Sequence, residues 1–467
     1  MTPPRPSRFR RTSLWLLALL LSTAGAGAAP AATWRAGTGR EKITPPAGLW
    51  MTGYAIRQGP AEGTAQELWV KALAFSDPSG NRGVLLTLDL CGITREVSDR
   101  VAAELERQHR IPRSAVITNV SHTHCSPMYG GYLHGLRILP PDGAAKAEAY
   151  TRNLEQKMIR AGSAALASVR PVAISWGEDA ATFGFNRREN ADKDVPRLRA
   201  EGKLKGPFDS RVPVLAVRRG GEEGEIVALL VSYACHNTTL DFMQWHGDYA
   251  GCAQLELERR HPDATVLFAM GCGADANPSP RGTLEIVEQH GRDLADAADR
   301  ALARPMTRVE GTFRCAFEDI ALTFQRKPTE EELREAWEKD QPYKEMYQAW
   351  SASVREQLRT KGDDILRYAY PIQAWRLGNL SWAILGGEVV AEYSLRLRKE
   401  LGADLWVFGY STDVMAYIPS ERVLTLGGYE GKSSMVPYAR PSAWSPGLEE
   451  KIVARTAELV TRTRERP

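Results

Sequence analysis

Three of the eight histidines in this 467-residue chain stand at or just past the ends of runs that read as buried strands. His122 and His124 close one run, and His236 closes another. Residues two apart on an extended segment share a face, so both members of the His-x-His pair reach one site if the strand continues through them. A turn at the strand end would instead separate them. Read alone, the pair fits either a metal site or hydrogen-bonded structural histidines. Gly386-Gly387-Glu388 places a carboxylate at a strand-to-helix turn, where a helix N-terminus favours its ionised form. Ionised carboxylates and neutral imidazoles are suitable zinc ligands. A first-turn helix acid is the alternative reading of Glu388.

The elements that must position these groups follow from hydrophobic periodicity. Gly83–Leu90, Ala115–Val120, Pro171–Gly177, Val212–Val217, Glu225–Tyr233, Ala264–Met270 and Leu405–Tyr410 read as strands. Segments 96–110, 145–168 and 283–303 have a helical period, and Gly386-Gly387-Glu388 is expected to open another helix ending near Gly402. Val309, Phe313, Cys315 and Phe317 alternate as a strand interrupted by Gly311. Gly378-Asn379 marks a hairpin between Tyr368–Arg376 and Leu380–Leu385. Residues 328–361 are charged and helical, a surface excursion, and a polar helix closes the chain from Pro446. Strands alternating with helices predict an α/β fold: a layered, mixed β-sheet core flanked by helices, with a metal site at the ends of several strands.

Composition sets the class. Hydrophobic residues make up 43% and charged residues 25%, as in soluble globular chains and unlike disordered or coiled-coil ones. Four of the 60 basic residues lie in the first 32 positions against no acid, leaving 56 basic against 57 acidic residues elsewhere. The slight excess of base therefore belongs to the leader, and nucleic-acid binding is not expected. In that leader, arginines, the apolar run Leu14–Leu21 and small residues through Ala32 follow one another, the order of a secretory signal. The apolar run is too short to span a bilayer, and no later stretch is long and apolar enough to do so. We therefore expect an export signal over 1–32, a single catalytic-type domain over 33–467, and a periplasmic or extracellular mature chain. The six cysteines are widely spaced and predict buried free thiols rather than a disulfide framework. No P-loop pattern is present, which argues against phosphoryl transfer.

Taken together, the segments resemble the neutral/alkaline ceramidases, zinc amidases that cleave the N-acyl bond of ceramide. Ser121-His122-Thr123-His124-Cys125-Ser126-Pro127 is similar to that family's T-H-T-H-S-x-P-G-G segment, with Gly130-Gly131 displaced by a short insertion. Phe185-Asn186-Arg187, Tyr233-Ala234-Cys235-His236, Gly386-Gly387-Glu388, Ala416-Tyr417-Ile418-Pro419-Ser420 and Gly428-Tyr429-Glu430-Gly431 resemble its further segments, in the same order from about Trp34 to Gly431. The resemblance implies one Zn2+ held by His122, His236, Glu388 and Tyr417. It implies His124 beside the substrate carbonyl and Arg187 orienting substrate or a catalytic side chain. Tyr417 would otherwise read as core. The family's G-D-x-S-P-N nucleophile segment aligns with Gly273-Ala274-Asp275-Ala276-Asn277-Pro278, placing Asn277 where the serine stands; a second register uses Ser279-Pro280. An amide is not an activated nucleophile, so the implied chemistry is hydrolysis of a lipid or small-molecule amide by a metal-activated water. Asn277 would then hydrogen-bond substrate or Arg187. The family's C-terminal β-sandwich is not expected in this chain. Alternatives are a zinc esterase or amidase for a smaller substrate, or a silent metal-containing binding protein.

Overall fold

The computed structural model describes residues 1–4, 33–133 and 135–465. The charged and apolar parts of the leader, and His134, lie outside the described residues. Thr33–Pro467 forms one compact unit.

Its frame is three mixed sheets, each containing one strand–helix–strand unit that ends in a parallel pair. In the first, Arg82–Leu88 and Val116–Val120 run parallel across the helix Arg95–His109. In the second, Glu225–Tyr233 and Thr265–Met270 flank the helix Asp248–Arg260. In the third, Leu380–Leu385 and Trp406–Phe408 flank the helix Ala391–Leu401. The first two sheets have five strands each and the third has four, and each is extended on the far side by antiparallel neighbours. Parallel pairing brings the carboxyl ends of adjacent strands to one edge. All the candidate ligands except Tyr417 follow directly from such ends.

These strands form because their sequences are apolar on both faces: Val84–Leu86, Ala228–Leu230 and Val266–Leu267 are fully buried. The helices carry local start signals. Thr94 and Thr283 cap the helices Arg95–His109 and Leu284–Leu302 through their side chains, and Thr329 with Glu332 forms a capping box. The long helix Pro141–Ala167 covers the first sheet, and Leu448–Arg464 covers the third. At the Gly378-Asn379 hairpin, Gly378 takes φ 57°, the left-handed region the turn requires.

One buried side chain joins the three parallel pairs. Asn119 accepts the Met270 backbone N–H on Oδ1 at 2.8 Å, and its Nδ2 donates to Gly409 O at 2.9 Å and to Met270 O at 3.2 Å. The carboxamide uses both its donor and acceptor capacity, so it fixes three strand ends drawn from 119, 270 and 409.

Several expectations shift. The Pro141–Ala167 helix begins four residues before the expected start, with Pro141 at its first turn. The strand expected from Val309 begins only at Phe313 and runs to Thr323, because Gly311 turns the chain at φ 105°. Glu388 does not open a helix. It lies in the two-residue strand Glu388–Val389, three positions before the helix begins at Ala391. The helix N-terminus therefore does not hold its charge. That terminus is occupied by Asp275 Oδ1, which accepts the Ala391 N–H at 2.9 Å. The excursion forms two helices, Glu330–Glu338 and Lys344–Lys361, around a small core of Leu333, Val354 and Ile365. It is not confined to the periphery, since three of its residues reach the cavity described below. All six cysteines are free thiols.

Candidate metal centre and cavity

The strand Val116–Val120 stops before the His-x-His pair, and His122 takes φ 63°. That turn does not separate the two imidazoles. It swings them to one side, with His122 Nε2 and His124 Nε2 3.1 Å apart. Behind His124, Gly53 lies at φ 88°, and a Cβ there would sit 2.4 Å from the imidazole Cγ, so only glycine admits this placement.

His122 Nδ1 donates to Cys91 O at 2.5 Å, and His236 Nδ1 donates to Gly273 O at 2.8 Å. Each carbonyl can only accept, so both Nδ1 atoms carry their protons and both Nε2 atoms present lone pairs in the neutral ring. Those atoms meet one carboxylate oxygen: Glu388 Oε2 is 3.1 Å from His122 Nε2 and 3.2 Å from His236 Nε2. Tyr417 Oη lies 3.1 Å from His236 Nε2, because Tyr417 and Glu388 are register partners in a parallel bridge. Three of the expected ligand side chains thus meet at Glu388 Oε2, and the fourth, Tyr417, borders them through His236.

The electrostatics show what this arrangement lacks. Burial disfavours a charge on His122, but the Glu388 carboxylate outweighs it and holds the imidazole well above its ordinary range. Burial likewise works against the Glu388 anion, but His122 and then His236 keep it well below the usual carboxylate value. His236 is pushed down to about 4 by burial, then by the Arg187 charge. The Tyr417 phenol is held well above its usual value by burial and then by Glu388, with Arg187 opposing. The Glu388 anion thus draws a proton onto His122, and a cation at that same point would replace the proton and leave both Nε2 atoms as acceptors. The set fits a divalent cation, which would also make a phenolate of Tyr417 accessible.

Residues outside the expected ligand set complete the centre. Tyr438 Oη donates to Glu388 Oε1, and Tyr410 Oη donates to Oε2 at 3.3 Å. Tyr132 Oη lies 3.2 Å from Tyr438 Oη and donates to Cys91 O, the same carbonyl that orients His122. Arg187 donates to Tyr417 Oη and to Asn277 Oδ1, both at 3.2 Å, and to Glu430 at 2.8 Å. Because a guanidinium only donates, it fixes the Asn277 oxygen and leaves the amide N–H groups facing away.

His122, His124, Glu388 and Tyr417 line a cavity of about 390 Å³. Arg187, Asn277 and His236 do not line it; His236 and Arg187 reach it through Tyr417, and Asn277 through Arg187. Ser279, the alternative nucleophile position, does not line it either. The wall is largely aromatic, with Tyr54, Tyr132, Tyr429 and Tyr438, and Tyr343, Met346 and Tyr347 come from the excursion. His124 is held neutral, well below its ordinary value, by burial and then by the neighbouring His122 and His236. Its ring packs edge-on to Tyr54 at 4.6 Å.

The 121–125 loop rests on a second loop through His246. His246 N donates to Cys125 O at 3.1 Å, Thr123 Oγ1 donates to His246 O at 2.7 Å, and His246 Nδ1 accepts the Asp248 N–H at 2.9 Å. Burial lowers the His246 imidazole to about 4. Its unfolded value is about 6.5, so the unfolded chain takes up a proton first as pH falls. The stability it contributes is complete above that value and is lost as pH falls toward 4, up to about 3 kcal/mol. His246→Asn keeps an acceptor for the Asp248 N–H and does not titrate. It should shrink the drop in urea midpoint between pH 7 and pH 4.5; an equal drop in both proteins refutes this role.

Candidate ligand side chains thus gather just past the carboxyl ends of α/β strands, and sequence comparison supplies the family. The chain belongs to the neutral/alkaline non-lysosomal ceramidases, whose N-terminal family model matches residues 34–277. It is 24% identical over 315 residues to neutral ceramidase 1 of Arabidopsis thaliana, covering 64% of this chain and 39% of that protein. It is 26% identical over 237 residues to the neutral ceramidase of Oryza sativa subsp. japonica, covering 49% and 29%. The chain thus spans well under half the length of these plant relatives. Among solved structures, a ceramidase complexed with C2 superposes with a TM-score of 0.71 at 16% identity, covering 92% of this chain and 75% of that one. The neutral ceramidase from Pseudomonas aeruginosa superposes with a TM-score of 0.69 at 18% identity and the same coverage. These superpositions bear out the mixed α/β fold.

Proposed function

We propose that the chain is an exported zinc-dependent hydrolase of N-acyl amides, with ceramide-like lipids as its substrates. The observation that carries this reading is the meeting of the His122 and His236 Nε2 lone pairs with Glu388 Oε2, buried and beside an apolar, tyrosine-walled cavity. His122, His236, Glu388 and Tyr417 would hold the ion. When bound, it supplies Lewis acidity that polarises a carbonyl and makes water acidic near neutral pH. Export rests on the leader's order of charge, apolar run and small residues. Among the described residues, no helix is long and apolar enough to cross a membrane.

The chain's own residues account for the proton traffic. Hydrolysis adds water across the C–N bond: the acyl carbon gains a hydroxyl, and the leaving nitrogen must gain a proton. Neutral His124, aimed at the same point as His122, can accept the proton from water and return it to that nitrogen. Arg187 places a fixed charge against the Tyr417 oxygen, favouring its anionic form. Asn277 anchors that guanidinium and is a positioning residue; with water as the attacking group, no acyl-enzyme is required.

The test is a matched panel of chromogenic N-acyl and O-acyl substrates, assayed with and without a chelator. Chelator-sensitive release from the N-acyl set is the expected result. Preference for the O-acyl set would assign an esterase, and binding without turnover would assign a silent metal protein.

A further inference from the structure

Tyr438 stands in the segment that follows Tyr429, and its turn is braced from two sides. Ala439 N donates to Val436 O and Arg440 N to Met435 O, both at 2.9 Å, closing the turn. Arg440 Nε donates to Met415 O at 2.9 Å, and Trp350 Nε1 donates to Arg440 O at 2.8 Å. The hydroxyl so placed has more hydrogen-bonding capacity than its neighbours use. A phenol carries one proton and two lone pairs, and a carboxylate only accepts, so the Tyr438 proton is committed to Glu388 Oε1. Tyr132 Oη, 3.2 Å away, also has one proton, and Cys91 O competes for it at 3.3 Å. Even if Tyr132 gives that proton to Tyr438, one lone pair on Tyr438 Oη remains. Among the described residues, no further group hydrogen-bonds to it.

That lone pair belongs to the cavity. Tyr438 lines it, as do both groups its hydroxyl touches, and only 7% of the residue is exposed. A shielded acceptor left without a donor costs free energy, so a ligand that brings a donor is favoured over one that does not. Position selects the donor. One carboxylate joins Tyr438 to the meeting point of His122 and His236, with Oε1 on the tyrosine and Oε2 on the imidazoles. The O–C–N unit of an amide has nearly the span of a carboxylate's O–C–O, so an acyl oxygen at that meeting point brings its nitrogen toward Tyr438 Oη. We infer that Tyr438 reads the scissile bond: its Oη accepts the N–H of a secondary amide whose carbonyl lies at the meeting point, and gains no such bond from an ester, whose linking oxygen has no proton. This rests on the amidase reading for the carbonyl's place, while the acceptor itself follows from the hydrogen bonds around it.

The experiment compares Tyr438→Phe with the native full chain on a dansyl-labelled secondary amide and on the ester that has oxygen in place of its N–H. Phenylalanine keeps the ring and removes the acceptor. The intrinsic reactivity of each compound is the same with both proteins, so the change in the amide-to-ester ratio of kcat/KM isolates the N–H contact. Losing that contact should lower the ratio about tenfold or more. Loss of support for Glu388 would instead slow amide and ester alike and lower zinc retention, which is measured alongside. An unchanged ratio, whether or not both rates fall, overturns the assignment and leaves the amidase reading intact. If the native chain cleaves neither compound yet binds the amide about tenfold more tightly than the ester, and Tyr438→Phe does not, the amidase reading fails and the Tyr438 contact stands. A native chain that binds the two without preference overturns the contact as well.

Discussion

Replacing His122 or His236 with alanine should reduce N-acyl amide turnover roughly a thousandfold or more, since Lewis-acid stabilisation is worth several kcal/mol and each 1.36 kcal/mol is tenfold. Each substitution removes one of the two imidazoles meeting at Glu388 Oε2 and would leave the proposed ion one imidazole, Glu388 and Tyr417, one ligand short of the four. Zinc content after dialysis should fall with activity, and circular dichroism should show that the sheets persist. Glu388→Gln tests the same centre from the carboxylate side. Dialysis against a chelator should mimic all three, and added zinc should restore only the native chain. Native turnover in either histidine variant would remove the assigned site.

The second large effect is expected at Arg187. Arg187→Ala withdraws the charge 3.2 Å from the Tyr417 oxygen, and losing one such donor typically costs about 100- to 1,000-fold. Asn277→Ala should cost about 10- to 100-fold, the range for a group that orients another. Because Asn277 acts through Arg187, the double variant should be no slower than Arg187→Ala alone. Additive losses would show that Asn277 meets substrate independently. Asn277→Ser should not accumulate an acylated serine, and an acyl-enzyme trapped on Ser279 would establish the other register.

Much of this frame is legible in the sequence, because buried strands are runs of local apolar residues. Glu225–Tyr233 occupies its expected range, and the strand ends carrying His122 and His236 fall where periodicity places them. Tyr417 is different: a single tyrosine between Ala416 and Ile418 reads as core from its neighbours, only the family resemblance singles it out, and the structure adds its pairing with Glu388. Tyr410, Tyr438 and Tyr132 escape local reading for the same reason, since they meet Glu388 and Cys91 across long stretches of chain. Asn119 does leave a trace, a carboxamide inside an otherwise apolar strand, which a buried setting tolerates only if every bond is satisfied. The excursion misleads because its charge is real and faces water, while Met346 and Tyr347 line the cavity together with a largely exposed Tyr343.

The three strand–helix–strand units have a consequence for how the molecule matures. Each unit closes over a few dozen residues and can gain structure from nearby partners, whereas the ligands lie on different units and meet only when Asn119 seats against 270 and 409. Secondary structure can therefore be complete while the cage is still scattered. On refolding, far-ultraviolet ellipticity should therefore return before the proposed activity does, because the candidate ligands are brought together by docking rather than by strand formation.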